Sequence, residues 1–187
     1  MGFTASLHPL SLAGAFRAAV LRTPQRIAVV EGSRAVTYAE LMAAVQNGAP
    51  DPSGMARWLA SERASEAMTE NPRHRALLLR AFDNVVEYAA FDRDDISAST
   101  LPLDTPVGAV AATVSLVLGA TLYLVDAEAL AEGVAAGRFQ TCWLRPGETT
   151  RTEWFPPAVR FRLALCDGSP TPDLIHWLGP QRVAEAI

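Results

Sequence analysis

The sequence predicts an α/β domain in which helices flank a mostly parallel β-sheet, with a small antiparallel hairpin near the N-terminus. Two observations carry this prediction. From Ile96 onward, short apolar segments of strand character alternate with segments of helical spacing, which is the pattern of βαβ units. The uncharged run from Val107 to Val125 also changes character at Gly119, as at a helix-to-strand connection.

The composition of the chain limits the kinds of protein that it can be. The chain has 187 residues, of which 50% are hydrophobic and 19% are charged, so it can form a substantial core. The net charge of −4 disfavours a nucleic-acid binder, because such proteins depend on excess positive charge. All 16 basic residues are arginines, so no lysine can act as a nucleophile or phosphate ligand. The N-terminus lacks the pattern of a secretory signal, and we predict a cytoplasmic location.

The first predicted segment, residues 1–46, is a helix, a hairpin and a second helix. Thr23-Pro24 ends the first helix, because proline cannot continue its hydrogen bonds. Thr37 followed by Glu40 has the spacing of a capping box, which begins the second helix. The predicted bounds are Leu10–Leu21 and Thr37–Val45 for the helices, and Ile27–Val30 and Arg34–Val36 for the strands.

The second segment, residues 47–71, is a linker followed by a helix. The letters NGAPDPSG, from Asn47 to Gly54, form the strongest break in the chain. Met55 to Thr69 then has helical spacing, with apolar residues on one side.

The third segment, residues 72–187, is the α/β part, and we expect all three segments to form one compact unit. The predicted helices are residues 71–91, Pro106–Leu118, Ala127–Ala136 and Pro172–Leu178. The predicted strands are Ile96–Leu101, Ala120–Val125, Gln140–Leu144 and Val159–Leu165. A helical pattern also continues to Ile187, which suggests an excised domain or a dependence on more chain.

The run Val107–Val125 allows two interpretations. Its length suits a membrane span, since about 18 or more uncharged apolar residues are the usual sign. Glycine, threonine and serine dilute it, however, and its flanks lack the arginines that orient a span. We interpret it as buried core, because parallel strands are covered on both faces and are evenly apolar.

Several stretches, taken in order, resemble the adenylate-forming (AMP-binding) superfamily, which includes adenylation domains of nonribosomal peptide synthetases and acyl-CoA ligases. TPQRIAVVEGSRAVTYAEL, from Thr23 to Leu41, is similar to the family's N-terminal segment. LPLDTPVGAV, SLVLGATLYLV and PPAVRFRLALCDGSPTPDLIHWL are similar to later family segments. The resemblance implies a partial adenylate-forming N-terminal domain.

The sequence also departs from the family pattern. In the family, a long subdomain separates the N-terminal and later stretches, and it ends in a Ser/Thr/Gly-rich phosphate loop closed by Pro-Lys-Gly. Here NGAPDPSG and one helix occupy that interval. The Tyr-Gly-x-Thr-Glu motif that holds adenine and magnesium in the family is absent before Ile187. We therefore expect a truncated, degenerate domain that needs no cofactor and is not an adenylating enzyme.

The resemblance and the strand pattern give weak candidates for ligand binding: Asp104, Gly108, Asp167 and Ser169. They follow predicted strands, and open α/β sheets bind ligands at the carboxyl ends of their strands. The alternatives are a helix cap at Asp104 and a DGSP turn at Asp167 and Ser169.

Aromatic residues supply candidates for partner binding: Trp143, Trp154 and Phe155, in or near a proline-bounded loop. The alternative is that they are buried in this domain. Cys142 and Cys166 are expected to be buried thiols, and neither the cysteines nor the three histidines have the spacing of a metal site.

The leading functional hypothesis is a non-catalytic scaffold in natural-product biosynthesis. Its expected partners are a carrier protein, a synthetase domain or a tailoring enzyme, with a second copy of the chain as another candidate, and neither nucleic acid nor membrane. The alternative is a remnant pocket for an acyl or aminoacyl group, carried or not on pantetheine.

Overall fold

The computed structural model describes residues 12–48, 54–68, 94–144, 162–165 and 183–185. The helices in these ranges are α1 (Leu12–Arg22), α2 (Tyr38–Asn47), α3 (Met55–Met68), α4 (Pro106–Leu118) and α5 (Ala127–Ala135). The strands are β1 (Ile27–Glu31), β2 (Arg34–Thr37), β3 (Ile96–Ser99), β4 (Thr121–Leu124), β5 (Thr141–Leu144), β6 (Arg162–Leu165) and β7 (Val183–Glu185).

These strands form one sheet in the order β2-β1-β4-β3-β5-β6-β7. β2 pairs antiparallel with β1, and the other neighbouring pairs are parallel. The pairing of β1 with β4 joins parts of the chain that are far apart in sequence, with Val29 opposite Leu122. The predicted α/β class, with a mostly parallel sheet and an N-terminal hairpin, is confirmed.

The hairpin and α2 follow from local sequence. Gly32, in the hairpin turn, has a φ of 58°, in the left-handed region that glycine enters without strain. The Glu40 backbone N–H donates to Thr37 Oγ1 at 3.2 Å, and the Thr37 N–H donates to Glu40 Oε2 at 2.8 Å. This reciprocal pair is the predicted capping box.

Tyr38, the first residue of α2, fixes this helix to the sheet. Its side chain is fully buried, and its hydroxyl donates to the carbonyl oxygen of Ala120 at 2.7 Å. Burial raises the pKa of the phenol, so the hydroxyl keeps its proton as a donor. Since Ala120 directly precedes β4, this bond holds the start of α2 at the amino end of the sheet.

α3 packs against the N-terminal helices α1 and α2. It corresponds to the predicted helix Met55–Thr69. Its apolar side chains join one buried cluster with residues of α1, α2, α4 and β4. The cluster includes Met55, Ala56, Trp58 and Leu59 of α3, with Phe16, Leu41, Leu116 and Leu122. Arg57 lies on the opposite, exposed side of α3. α3 therefore covers apolar surface of the N-terminal helices.

The uncharged run forms α4, a turn and β4, as the sequence predicts. Thr105 caps α4, and Gly119 ends it with a φ of 88°. The residues from Ala111 to Leu116 are all buried. The run is therefore core. None of the helices in the described ranges has both the length and the apolar character needed to cross a membrane.

α4 and α5 lie on opposite faces of the sheet. Ser115 of α4 hydrogen-bonds Ser97 of β3 at 2.9 Å, and Ser97 is in register with Leu122 of β4. The next residue, Tyr123, points to the other face. There its ring contacts Phe139, with centroids 5.3 Å apart, and a side chain added at Gly133 of α5 would meet Phe139. Both faces of the central strands are thus covered, which explains why consecutive residues of β3 and β5 are buried.

The C-terminal part changes one expectation. The helical pattern that reaches Ile187 is wrong at residues 183–185, where β7 pairs in parallel with β6. A segment this short takes its conformation from the neighbouring strand rather than from its own spacing. Of the predicted strand Val159–Leu165, β6 is the described part. The predicted helices at 71–91 and Pro172–Leu178 lie outside the described residues.

Candidate functional site

The strand order creates a switch point between β3 and β5. From β3 the chain crosses through α4 to β4, on one side, whereas β5 is followed in the sheet by β6, on the other side. In open α/β sheets, ligands bind at the carboxyl ends of strands whose outgoing connections diverge in this way. The carboxyl edge of β3 and β5 is therefore the candidate site.

The loop between β3 and α4 is held by its own hydrogen bonds. The Leu101 N–H donates to Ser99 Oγ at 3.2 Å, and the Thr105 hydroxyl donates to the Pro102 carbonyl oxygen at 2.7 Å. Thr105 Oγ1 also accepts the Gly108 N–H at 3.1 Å, which makes Thr105 the cap of α4. These hydrogen bonds hold the loop against the first turn of α4, beyond the carboxyl end of β3.

Asp104 lies exposed in this loop, at the carboxyl edge of the sheet. The alternative prediction, that Asp104 caps α4, is wrong because Thr105 takes that role. Its carboxylate is open to solvent at this edge.

Gly108, the third residue of α4, has a structural explanation. A Cβ atom at this position would overlap the carbonyl group of Pro102. Only glycine lets the first turn of α4 approach the loop so closely. The glycine is therefore required by packing, whether or not a ligand binds nearby.

Trp143 does not form an exposed anchor, which corrects that part of the partner-binding prediction. Its side chain is 0% exposed, in the penultimate position of β5. All four residues of β5 are buried, so the strand has no solvent-facing side on which an aromatic anchor could stand. The alternative expectation, burial within this domain, holds for Trp143.

The other site candidates lie outside the described residues. They are Asp167, Ser169, Trp154, Phe155 and Cys166. Of the candidates that are described, Asp104 and Gly108 lie together on the β3–α4 connection, and Trp143 lies on the strand beside it.

Cys142 is fully buried, and burial raises the pKa of its thiol. A thiol without solvent access is unsuited to nucleophilic chemistry. Within the described ranges, no cluster of three or more histidine, cysteine, aspartate or glutamate residues could hold a metal ion.

One feature of β5 could not be inferred from the sequence. Thr141 Oγ1 and Trp143 Nε1 are both buried, and among the described residues neither has a hydrogen-bond partner. Because they are two positions apart on one strand, both side chains point to the same face. Four consecutive buried residues carry no periodicity, so the face of each side chain follows only from the strand register.

A parallel sheet that carries α4 on one face, α5 on the other and an N-terminal hairpin at its edge is the fold of the N-terminal part of adenylation domains. The Klebsiella oxytoca NpsA N-terminal subdomain in complex with 3-hydroxyanthranilyl-AMSN superposes with a TM-score of 0.71 at 13% identity, over 93% of this chain and 71% of that chain. VinN in complex with L-aspartate gives 0.68 at 11% identity, over 91% and 72% of the two chains. The artificially fused adenylation–PCP di-domain NpsA-ThdA from Klebsiella oxytoca gives 0.66 at 13% identity, over 88% and 50%.

No protein-family model and no curated protein matches the sequence. The chain spans between 50% and 72% of the first solved structures to which it is similar. The resemblance to adenylation domains is thus confirmed at the level of the fold, at very low sequence identity.

Proposed function

We propose that this chain is a non-catalytic pseudo-adenylation domain that acts as a scaffold or protein-interaction module in nonribosomal peptide or polyketide biosynthesis. The main observation in support of the proposal is that α3 is packed into the core of the domain. The family resemblance places the phosphate-binding subdomain in the interval that α3 occupies. Here Met55, Trp58 and Leu59 of α3 are buried against α1 and α2, so this interval contributes to the core.

The absence of lysine also supports the proposal. In the family, the phosphate loop is closed by Pro-Lys-Gly, and a lysine beside backbone N–H groups neutralises phosphate charge. This chain has arginine alone as its basic residue, and the segment before α3 is NGAPDPSG. An adenylation fold that lacks the phosphate loop and its lysine is better suited to protein contacts than to ATP chemistry.

The partner expected is a carrier protein, a neighbouring synthetase domain or a tailoring enzyme, with a second copy of the chain as a further candidate. One structure with this fold is an adenylation–PCP di-domain, which makes a carrier protein a reasonable first choice. The predicted contact residues are Trp154 and Phe155, because interface hot spots are enriched in aromatic side chains.

Two measurements test this proposal. Pyrophosphate exchange with a panel of amino acids and carboxylic acids should give no signal above background. Biolayer interferometry against the carrier proteins, synthetase domains and tailoring enzymes encoded beside this chain should give saturable binding to one of them.

The double variant Trp154→Ala/Phe155→Ala should weaken that binding about tenfold or more, as expected for hot-spot residues. Leu21→Ala is the matched control, since Leu21 is an apolar side chain of α1 that is 75% exposed. ATP-dependent exchange, or a monomer that binds none of these proteins, would refute the proposal.

The competing function is a remnant pocket near Asp104, Gly108 and Asp167 for an acyl or aminoacyl group. The exposed carboxylate of Asp104 at the switch point favours it. The packing role of Gly108 and the burial of Trp143 count against it. Saturable binding of an acyl-pantetheine that weakens in Asp104→Ala would support this second function.

A further inference from the structure

The outer side of β2 is one edge of the sheet formed by the described strands, because β2 pairs with β1 and no described strand lies beyond it. The edge of a sheet presents unpaired N–H and carbonyl groups, to which a strand of another chain can bind. A second copy of this chain is among the candidate partners. The state of the β2 edge therefore decides whether two copies can join their sheets there.

One hydrogen bond shows which N–H groups of β2 point outward. The N–H of Tyr38, directly after β2, donates to the Arg26 carbonyl oxygen at 2.9 Å, so it points to the side of the chain that leads into β1. Successive residues of a strand direct their N–H groups to alternate sides. The N–H groups of Ala35 and Thr37 therefore point outward, away from β1.

The capping box covers the outward N–H of Thr37. This N–H donates to Glu40 Oε2 at 2.8 Å, and the same oxygen accepts the Thr37 hydroxyl at 2.8 Å. The carboxylate oxygen thus occupies the place that a carbonyl oxygen of an incoming strand would take. Glu40 is exposed, and an incoming strand would have to displace its charge or bury it, which is costly.

Two further features limit what remains of this edge. β2 has four residues and passes directly into α2, so Ala35 is the remaining residue of β2 whose N–H points outward. Arg34, at the start of β2, is exposed, and charged side chains on an edge strand disfavour pairing with another chain. Stable pairing needs several consecutive hydrogen bonds, and Ala35 alone cannot supply them.

We propose that the Glu40 carboxylate closes the outer edge of β2 against strand addition, so that the capping box prevents this chain from joining its sheet to that of a second copy. This inference goes beyond the proposed function, because it concerns the sheet edge and holds whether or not a partner protein binds elsewhere. The two proposals can therefore fail independently. A second copy would have to bind by another surface.

The test compares two variants that each remove one half of the capping box. Glu40→Ala takes away the carboxylate and frees the outward N–H of Thr37, whereas Thr37→Ala removes the hydroxyl and leaves a main-chain N–H for Glu40 to cover. In sedimentation velocity, Glu40→Ala should have an apparent mass at least about twofold that of wild type, because two opened edges can pair. Thr37→Ala should have the wild-type mass.

The comparison separates edge pairing from a general loss of stability. Both variants weaken the start of α2, so fraying of this helix alone would affect them alike. Adding Ala35→Pro to Glu40→Ala removes the remaining outward N–H, at a position where edge strands accept proline, and should restore the wild-type mass. Self-association of both single variants, self-association of neither, or association that persists after Ala35→Pro would overturn the proposal.

A measurement on wild-type protein serves if Glu40→Ala does not fold. In amide hydrogen exchange followed by NMR, with rates corrected for sequence, the Thr37 N–H should exchange at least about tenfold more slowly than the Ala35 N–H. The reason is that the first N–H must leave the carboxylate, whereas the second is open to water. Equal exchange of the two, or protection of Ala35 that grows with protein concentration, would refute the closure of this edge.

Discussion

Gly108 shows how one residue can satisfy a family pattern for a purely structural reason. The glycine matches the resemblance to adenylation domains, and sequence reasoning therefore placed it in a ligand site. In the structure it lies in the first turn of α4 against the Pro102 carbonyl, where a Cβ atom has no room. The packing constraint acts on the backbone, so neighbouring side chains cannot relieve it by rotating.

We expect Gly108→Ala to destabilise the protein by about 1–3 kcal/mol, because the added methyl overlaps main-chain atoms. Chemical denaturation of the wild type and the variant would measure the change. Gly32→Ala is the control, since open space surrounds that residue and only its positive φ is unfavourable. A Gly108→Ala protein as stable as wild type would mean that the loop can move away from α4.

Trp143 marks the limit of sequence reasoning at the residue scale. Its proximity to a proline-bounded loop left an exposed and a buried position both open, and the strand register shows that it is buried. β5 has four buried residues in a row, so the usual alternation of polar and apolar side chains is absent. The face of each residue is then fixed by β3 and α4, which single-strand periodicity cannot reveal.

Among the elements, those with their own termination signals were predicted well. α2 has its capping box and begins at Tyr38, one residue after the predicted Thr37, which is its cap. α4 has Thr105 before it and Gly119 after it, and it begins at the predicted Pro106. Strand ends were less accurate: β3 ends at Ser99 although the apolar pattern continues to Leu101. β7 was predicted as helix, because its conformation depends on pairing with β6 rather than on local sequence.

The capping box predicts how the stability of α2 depends on pH. Glu40 accepts hydrogen bonds from the backbone N–H and the hydroxyl of Thr37, and these lower its pKa below the ordinary 4.5. A group whose pKa is lowered by folding stabilises the protein above its unfolded pKa. That contribution is lost as the pH falls through the folded pKa.

We therefore expect Glu40→Ala to be less stable than wild type at pH 7, with the difference shrinking below about pH 4.5. Urea denaturation of wild type, Glu40→Ala, Thr37→Ala and the double variant at both ends of this range would measure the coupling. A coupling between the two residues that is unchanged at pH 3 would exclude the ionised carboxylate as its source.

At the scale of the whole molecule, α3 explains how this chain completes its core. An adenylation fold without its phosphate-binding subdomain has apolar surface that a helix, a second copy or a partner must cover. Met55, Ala56, Trp58 and Leu59 of α3 are buried in the cluster of α1 and α2, so the helix provides at least part of this cover. Leu21 and Ile27 are the exposed large apolar side chains of the described residues.

Trp58→Ala should lower the free energy of unfolding by about 3–5 kcal/mol, as for other buried tryptophans, and should make the protein self-associate. Thermal denaturation and size-exclusion chromatography would report the two effects. Arg57→Ala, on the exposed side of the same helix, should change stability by no more than about 0.5 kcal/mol. A small effect of Trp58→Ala would indicate that α3 packs only loosely against α1 and α2.

The pairing of β1 with β4 has a consequence for biosynthesis. Val29 meets Leu122, so β1 leaves the ribosome 93 residues before the strand that completes it. At roughly 5–20 residues per second, the nascent hairpin waits on the order of 5–20 s with one edge unpaired. Contacts so distant along the chain also slow folding once synthesis is complete. Until β4 emerges, the hairpin therefore presents an unpaired strand edge that is open to incorrect pairing.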